Sequence, residues 1–440
     1  MTRPTSRIKR SCLACLGLTF SQSIWAGNEF VLQLDTALTS NSNTFRFYQR
    51  AQAAGLPENP DTPQPRPQLE RETAQEIELR GVAVIPVLSE QTRLLLMGSL
   101  GQHKYKNYKQ LDHRSHAADG IFEWQITPAI QGRIAYGKED KLFQYLNGSL
   151  TELDMSHQKR AVAELVTKVA NEWLLAAKSE KTELKYDLPQ NKVYDLNEKS
   201  TSLALKYVSP TGSSLELGLR QGHSEFPDRD FRQQLDLDKR YAENEIYFDA
   251  EWKYSPKTQT SLHLGVLQRR YENLHERDTR LKNLIWRGTY FYSPQLRFDL
   301  QLWDRPYGIV DPAILYVTSQ ALRFDAFWKW SDKTRLNASL LAQNSDNLLI
   351  PRLSSLNRDE VRKERVERIG LGLQYEIDRG LNWYLDGIYE RSRRLGDGSQ
   401  LTQTILKMGV NYTYESQPAS YTPKYLKRYQ PSYSATELPD

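Results

Sequence analysis

Along much of the chain apolar and polar residues alternate singly. In residues 296–302, Leu296, Phe298, Leu300 and Leu302 share one phase, and Arg297, Asp299 and Gln301 take the other. A period of two puts successive side chains on opposite faces of an extended strand, whereas a helix would need spacings of three and four. The same arithmetic sets Ile246, Phe248, Ala250, Trp252 and Tyr254 against Asp249, Glu251 and Lys253. It sets Leu322, Phe324, Ala326, Trp328 and Trp330 against Arg323, Asp325 and Lys329. Each run predicts a strand with one apolar and one polar wall.

The connections between runs are of two kinds. Thr127-Pro128, Ser209-Pro210-Thr211-Gly212, Ser255-Pro256-Lys257, Ser293-Pro294-Gln295, Ser331-Asp332-Lys333 and Asp378-Arg379-Gly380 read as hairpin turns, with Leu88-Ser89-Glu90 a weaker case. Between hairpins lie long polar stretches, near 104–116, 142–158, 186–198, 224–242, 272–280, 306–318, 345–364 and 392–400. Short turns on one side and long loops on the other are the asymmetry of an outer-membrane barrel, with the short side periplasmic. A first strand near 29–40, eight hairpins and a last strand near 401–414 predict an all-β, antiparallel transmembrane barrel of about 18 strands. A soluble β-sandwich would need apolar residues meeting between two sheets, and here charged or polar residues hold most inward positions.

Two segments test this reading. Residues 159–184 are rich in Ala, Leu, Glu and Lys, good helix formers. The strand count favours a hairpin there, with Ala163, Leu165 and Val169 toward lipid and a turn at Asn171-Glu172; a helix is the alternative. The stretch 56–68 carries Pro57, Pro60, Pro63, Pro65 and Pro67, which excludes regular structure and places a loop between the first two strands.

The amino terminus changes what composition means. Arg3, Arg7, Lys9 and Arg10 precede an apolar run that is too short and too interrupted to span hydrocarbon, the layout of a signal peptide cleaved after Ala26. The expected parts are a signal peptide over 1–26, a barrel over 27–415 and a periplasmic tail over 416–440. Removing four cations takes the formal net charge from +5 to +1, so the basic balance is no argument for nucleic acid. Cys12 and Cys15 leave with the same segment, which excludes disulfides and thiol-based metal sites from the mature chain. A mean hydropathy of −0.66 does not argue for a soluble protein, because only alternate residues of a barrel meet lipid. The 25 Tyr, 13 Phe and 9 Trp fit aromatic girdles at both membrane interfaces.

The chain also resembles a known family, the outer-membrane barrels encoded with exopolysaccharide export systems, the EpsL type of exosortase loci. The resemblance is carried by TSNSNTFRFYQR at 39–50, HKYKNYKQLDHRSHAADGIFEWQITPAIQGRI at 103–134 and SLALKYVSPTGSSLELGLRQGHSEF at 202–226. It continues in YFDAEWKYSPKTQTSLHLGVLQRRYENLHERD at 247–278 and SDKTRLNASL at 331–340. It implies a part in making or secreting an extracellular polysaccharide, with that polymer and periplasmic export components as partners. The chain departs from a usual barrel in lacking a terminal aromatic residue. Residues 407–414 resemble the internal assembly signal that insertion machinery reads, with Gly409, Tyr412 and Tyr414 as its key positions.

Candidate chemistry is confined to the polar wall. Its inward positions include Arg133, Arg220, Arg269, Arg287, Arg297, Arg323 and Arg335, accompanied by Asp249, Glu251, Asp299, Asp325 and Glu376. Planar guanidinium groups suit hydroxyls and uronate carboxylates, though arginine and acid ladders also satisfy one another inside any large barrel. Tyr247, Phe291, Trp303, Phe327 and Tyr384 share that wall and could stack on sugar rings or fill space. His113 and His116 form H-x-x-H in what reads as an outer loop, where nothing fixes metal geometry. No phosphate loop, nucleophile elbow or zinc-protease motif occurs, so no catalytic residue, metal or cofactor is expected. The expectation is an outer-membrane barrel that serves polysaccharide secretion as conduit or accessory, with a diffusion porin for small solutes as the alternative.

Overall fold

The computed structural model describes residues 29–46, 71–89, 91–143, 152–230, 238–307, 314–349, 360–395 and 398–416. The expected signal peptide, the proline-rich loop and the tail beyond Ser416 lie outside the described residues. Among the described residues eighteen strands run in chain order. The first nine are β1 (Glu29–Asn41), β2 (Glu72–Ser89), β3 (Thr92–Tyr105), β4 (His113–Thr127), β5 (Ile130–Leu142), β6 (Met155–Lys168), β7 (Trp173–Tyr186), β8 (Leu196–Val208) and β9 (Ser214–Glu225). The others are β10 (Arg240–Ser255), β11 (Thr258–Tyr271), β12 (Thr279–Ser293), β13 (Leu296–Tyr307), β14 (Ile314–Lys329), β15 (Thr334–Leu349), β16 (Glu360–Asp378), β17 (Leu381–Arg394) and β18 (Gln400–Glu415). Each strand pairs antiparallel with its neighbours in sequence, and β1 pairs with β18 from Val31–Glu415 to Asn41–Ile405. That last pairing closes the sheet and leaves no strand edge, which is what a sheet in hydrocarbon requires.

Register confirms the two walls. Leu203, Leu219, Ile246 and Val266 stand opposite one another on β8–β11 and are 53, 58, 62 and 58% exposed. The neighbouring row turns inward as Ser202, Arg220, Glu245 and Leu267, with the last two 5% exposed each. Apolar side chains on the outside and charges on the inside invert a soluble protein; water is in the lumen and lipid is the outer solvent. With no edge and an apolar exterior on strands, the chain is a transmembrane barrel, and the membrane that holds such barrels is the bacterial outer membrane.

Residues 159–184 are strands, not helix. β6 and β7 meet at the turn 169–172, and Ala163 and Leu165 face lipid while exposed Val169 begins the turn. Helix propensity loses because both neighbours offer backbone partners along their whole length.

Some loops are shorter than the sequence reading has them. β3 runs to Tyr105 and β4 starts at His113, so only 106–112 stand outside the ladder instead of 104–116. Polar strand ends project beyond the hydrocarbon and go on pairing there. Girdles also differ from expectation. Among the described residues the outward aromatic pairs Trp173–Tyr207, Trp252–Tyr254, Trp328–Trp330, Phe30–Tyr414 and Phe298–Phe324 lie toward the short-turn end, with ring centroids 5.3, 5.9, 5.3, 5.7 and 5.8 Å apart.

Three long-side connections share one construction. Each follows an inward tyrosine (Tyr105, Tyr186 and Tyr271) and contains a short 3-10 turn, Lys109–Leu111, Pro189–Tyr194 or His275–Arg277. An aspartate closing the connection accepts that tyrosine's backbone N–H: Asp112 at 2.7 Å, Asp195 at 2.9 Å and Asp278 at 2.8 Å. A second buried acid, at the start of the strand one hairpin earlier, accepts loop N–H groups. Glu72 takes those of Lys106, Asn107 and Tyr108, Asp154 those of Asp187 and Leu188, and Asp238 those of Asn273 and Leu274. These loops therefore return their backbone hydrogen bonds to the barrel rim rather than to water.

Candidate functional lumen

All nine lumen positions read from the sequence face inward. Arg133 lies on β5, Arg220 on β9, Tyr247 on β10, Arg269 on β11, Arg287 on β12, Arg297 and Trp303 on β13, Arg323 on β14 and Arg335 on β15. They do not form one site. Arg133 pairs with Glu164 at 2.6 Å, Arg269 with Glu243 at 2.7 Å, and Arg220 with Glu198 at 3.1 Å while approaching Glu243 and Glu245. On that side the ladder is satisfied internally and fills the interior.

The other side of the lumen is different. A cavity of about 1660 Å³, reaching the short-turn end, is lined by β12–β18 together with β1 and β2, and Arg297, Arg323 and Arg335 all line it. On β12–β15 the inward cations are Arg287, Arg297, Arg305, Arg323, Lys329 and Arg335, against two acids, Asp299 and Asp325. Arg297 reaches Asp299 at 3.1 Å and stacks 4.2 Å above the Phe327 ring, while Arg323 reaches Asp325 at 2.8 Å. Arg335 is exposed to the cavity and has no ion pair among the described residues. Around β1–β4 the sign reverses: Asp35, Glu76, Glu78, Asp119 and Glu123 face inward against Arg80 and Arg93. The lumen thus carries a basic wall and an acidic wall, which sequence reading of single strands does not reveal.

Several lumen residues escape a strand-by-strand reading. Lys407 is 2% exposed and pairs with Glu76 at 2.6 Å across the one intervening strand, β1. Arg46, in the connection after β1, turns back over the lumen to Glu390 at 2.5 Å and Gln403 at 3.0 Å. Arg368 meets the same Glu390. Only continuing the alternation on β13 past Trp303 would have shown Arg305.

The aromatic positions are held by structural contacts, and Phe291, Trp303, Phe327 and Tyr384 also line the cavity. Trp303 donates its indole N–H to Ser319 Oγ at 3.1 Å and is 8% exposed. Tyr247 stacks on His263 at 5.7 Å and donates its hydroxyl to Glu216 at 3.1 Å. Its ring lies across Gly218 on β9, where any Cβ would collide with it. Gly409 plays the same part under Tyr384, whose hydroxyl reaches Asp35 at 2.9 Å.

Of the assembly-signal residues, Gly409 therefore faces the lumen, and Tyr412 and Tyr414 face outward, each 48% exposed. Replacing both tyrosines by Ala is expected to lower the amount of folded protein in the outer membrane, measured by heat-dependent gel mobility of membrane fractions. Deleting residues 417–440 should leave that amount unchanged. Equal loss from both changes would put assembly information in the tail.

His113 and His116 correct the sequence reading in another way. Both lie on β4, not in a loop, three positions apart and hence on opposite faces. His113 points inward and stacks on His103 at 4.5 Å, and His116 points outward to Asp140 at 2.9 Å. They cannot converge on one ion, and among the described residues no group of three acids, histidines or cysteines is arranged to hold a metal.

No family model and no curated protein matches this chain. Solved structures of outer-membrane barrels do. Pseudomonas aeruginosa OccK9 (OpdG) aligns at 11% identity over 89% of this chain and 100% of its own, with a TM-score of 0.46. The outer membrane protein OpdK from the same organism aligns at 13% identity over 89% and 99%, with a TM-score of 0.45. The alcaligin outer-membrane receptor FauA from Bordetella pertussis aligns at 11% identity over 88% and 76%, with a TM-score of 0.38.

Proposed function

We propose that this outer-membrane barrel holds or passes anionic, hydroxyl-rich solutes, and that the solute is an acidic extracellular polysaccharide during its secretion. The observation that carries the reading is the basic wall of β12–β15 along an open cavity. Guanidinium groups there can meet carboxylates bidentately and donate to hydroxyls, in a confined lumen that screens charge less than bulk water. The sequence resemblance to barrels of exopolysaccharide export supports a polymer as the ligand. Periplasmic export components would then deliver it to the short-turn end, where the cavity opens. The barrel would act by binding and passage, without a catalytic group.

A second reading, diffusion of small solutes, is favoured by that same cavity. Arg297→Gln, Arg323→Gln and Arg335→Gln combined should reduce secreted polymer in cells and shift planar-bilayer conductance away from anions. Loss of anion preference with unchanged polymer would support the porin reading. Normal secretion and normal selectivity in a folded triple variant would reduce these arginines to ladder residues.

A further inference from the structure

The outer face of β5–β8, toward the long-loop end, carries charge where lipid-facing residues belong. Lys138, Lys159, Lys181, Lys185 and Lys199 point outward; Lys138 is half-buried and the other four are exposed. They keep the phase of Ile134, Leu165 and Leu203, which meet lipid at 58, 44 and 53% exposure. Lys138 stands directly opposite Lys159, and Lys181 directly opposite Lys199. Like charges facing across strands destabilise a sheet. Three acids moderate them in part: Asp140, 3.3 Å from Lys138 and shared with His116 and His157; Glu183, 2.6 Å from Lys181 and also near Lys159 and Lys185; and Glu225, near Lys199. Lys159, Lys185 and Lys199 have no ion pair among the described residues.

Position identifies what would neutralise them. From Ile130, at the short-turn end of β5, to Lys138 the strand climbs roughly 20 Å at the usual rise and barrel tilt, to the top of an apolar band ~25 Å tall. The patch spans four strands, roughly 15 Å across. That is wider than one phosphate and matched to a headgroup carrying several. Lysine stems can lie along the apolar surface while their ammonium groups reach the headgroup layer.

We propose that the outward lysines of β5–β8 bind the phosphates of a multiply phosphorylated glycolipid in the outer leaflet. The full-length barrel in neutral detergent would be titrated with phosphorylated lipid A, with the same lipid after phosphatase treatment, and with inorganic phosphate as competitor. Phosphorylated lipid should bind with affinity that falls steeply with salt, and the dephosphorylated lipid should not. Combining Lys138→Gln, Lys159→Gln and Lys199→Gln should weaken binding on the order of 100-fold. A charge-matched control, Lys257→Gln, Lys333→Gln and Arg379→Gln in the turns at the other end, should bind like wild type. Equal loss in the control, equal binding of dephosphorylated lipid, or displacement by millimolar phosphate alone would each overturn the proposal. If the patch variant misfolds, salt sensitivity and the phosphatase comparison on the wild-type protein decide it alone.

Discussion

Leu300→Arg is expected to cost ~2–4 kcal/mol of folding stability in the membrane. Leu300 sits near the middle of β13, on the lipid phase, between Gly288 and Phe324 on its neighbours. A guanidinium there has neither water nor a counter-ion, and closure of the barrel leaves no groove for escape. Asp299, one residue away, gives the contrast. It faces the lumen, pairs with Arg297, and stands directly opposite Asp325, so Asp299→Asn removes a repulsion as well as an ion pair. Its cost should stay below ~1 kcal/mol, as for a hydrated pair. Urea unfolding in lipid vesicles measures both, and labelling of single cysteines by a lipid-phase reagent should mark 300 and spare 299. The reverse labelling would put every lumen assignment on the wrong wall.

Removing the loop clamps should be the next largest effect. Glu72→Ala takes the acceptor from the N–H groups of Thr73, Lys106, Asn107 and Tyr108 at once, and the carboxylate is 2% exposed. Charge-assisted bonds of this kind are worth ~1.5–3 kcal/mol each, but the freed loop can recover water, so a net loss of ~3 kcal/mol at the rim is expected. Limited proteolysis should show cleavage within 106–112 while the barrel stays intact. Unchanged protection would mean that Phe45 and Leu111, packed together there, hold the loop without the acid.

The Asp238 clamp adds a pH dependence. Burial raises the affinity of this carboxyl for a proton, but the N–H donors of Asn273, Leu274 and Arg240 outweigh it and lower the pKa below the ordinary value of 3.8. A depressed carboxylate contributes stability that is complete above the unfolded pKa and is lost as pH falls through the folded one. Proteolysis within 272–278 should therefore stay slow at neutral pH and rise only in strong acid. Asp238→Asn should show the fast cleavage at every pH.

How much of this was readable beforehand depends on how local the information is. Strand number, lipid face and lumen face follow from side-chain parity, which any one strand reveals by itself; Leu300 and Arg297 needed no partner to be placed. In 159–184 helix propensity opposed the strand count, and the hairpin that the count favoured is held by the ladders to β5 and β8. The H-x-x-H pair was read into a loop, whereas it lies on β4 with its two rings on opposite faces. The basic wall was half visible. Each arginine could be assigned inward, but which ones stay beside open space depends on acids brought from distant strands, such as Glu243 to Arg269 and Glu164 to Arg133. Contacts such as Lys407 with Glu76 join the two ends of the chain, and no periodicity encodes them.

The three clamped loops have one further consequence. Glu72, Tyr105, Asn107 and Asp112 recur at a single constant offset as Asp238, Tyr271, Asn273 and Asp278, and Pro128 recurs at that offset as Pro294. Asp154, Tyr186 and Asp195 repeat the arrangement between them, so the clamps fall on every fourth strand. A spacing of four strands divides β2–β13 into three blocks, β2–β5, β6–β9 and β10–β13, each opened by one clamp. Because each block enters and leaves at the short-turn rim with the same parity, excising β6–β9 whole would keep an even strand count and every remaining side chain on its own wall. Circumference in such a wall can be altered in steps of four strands.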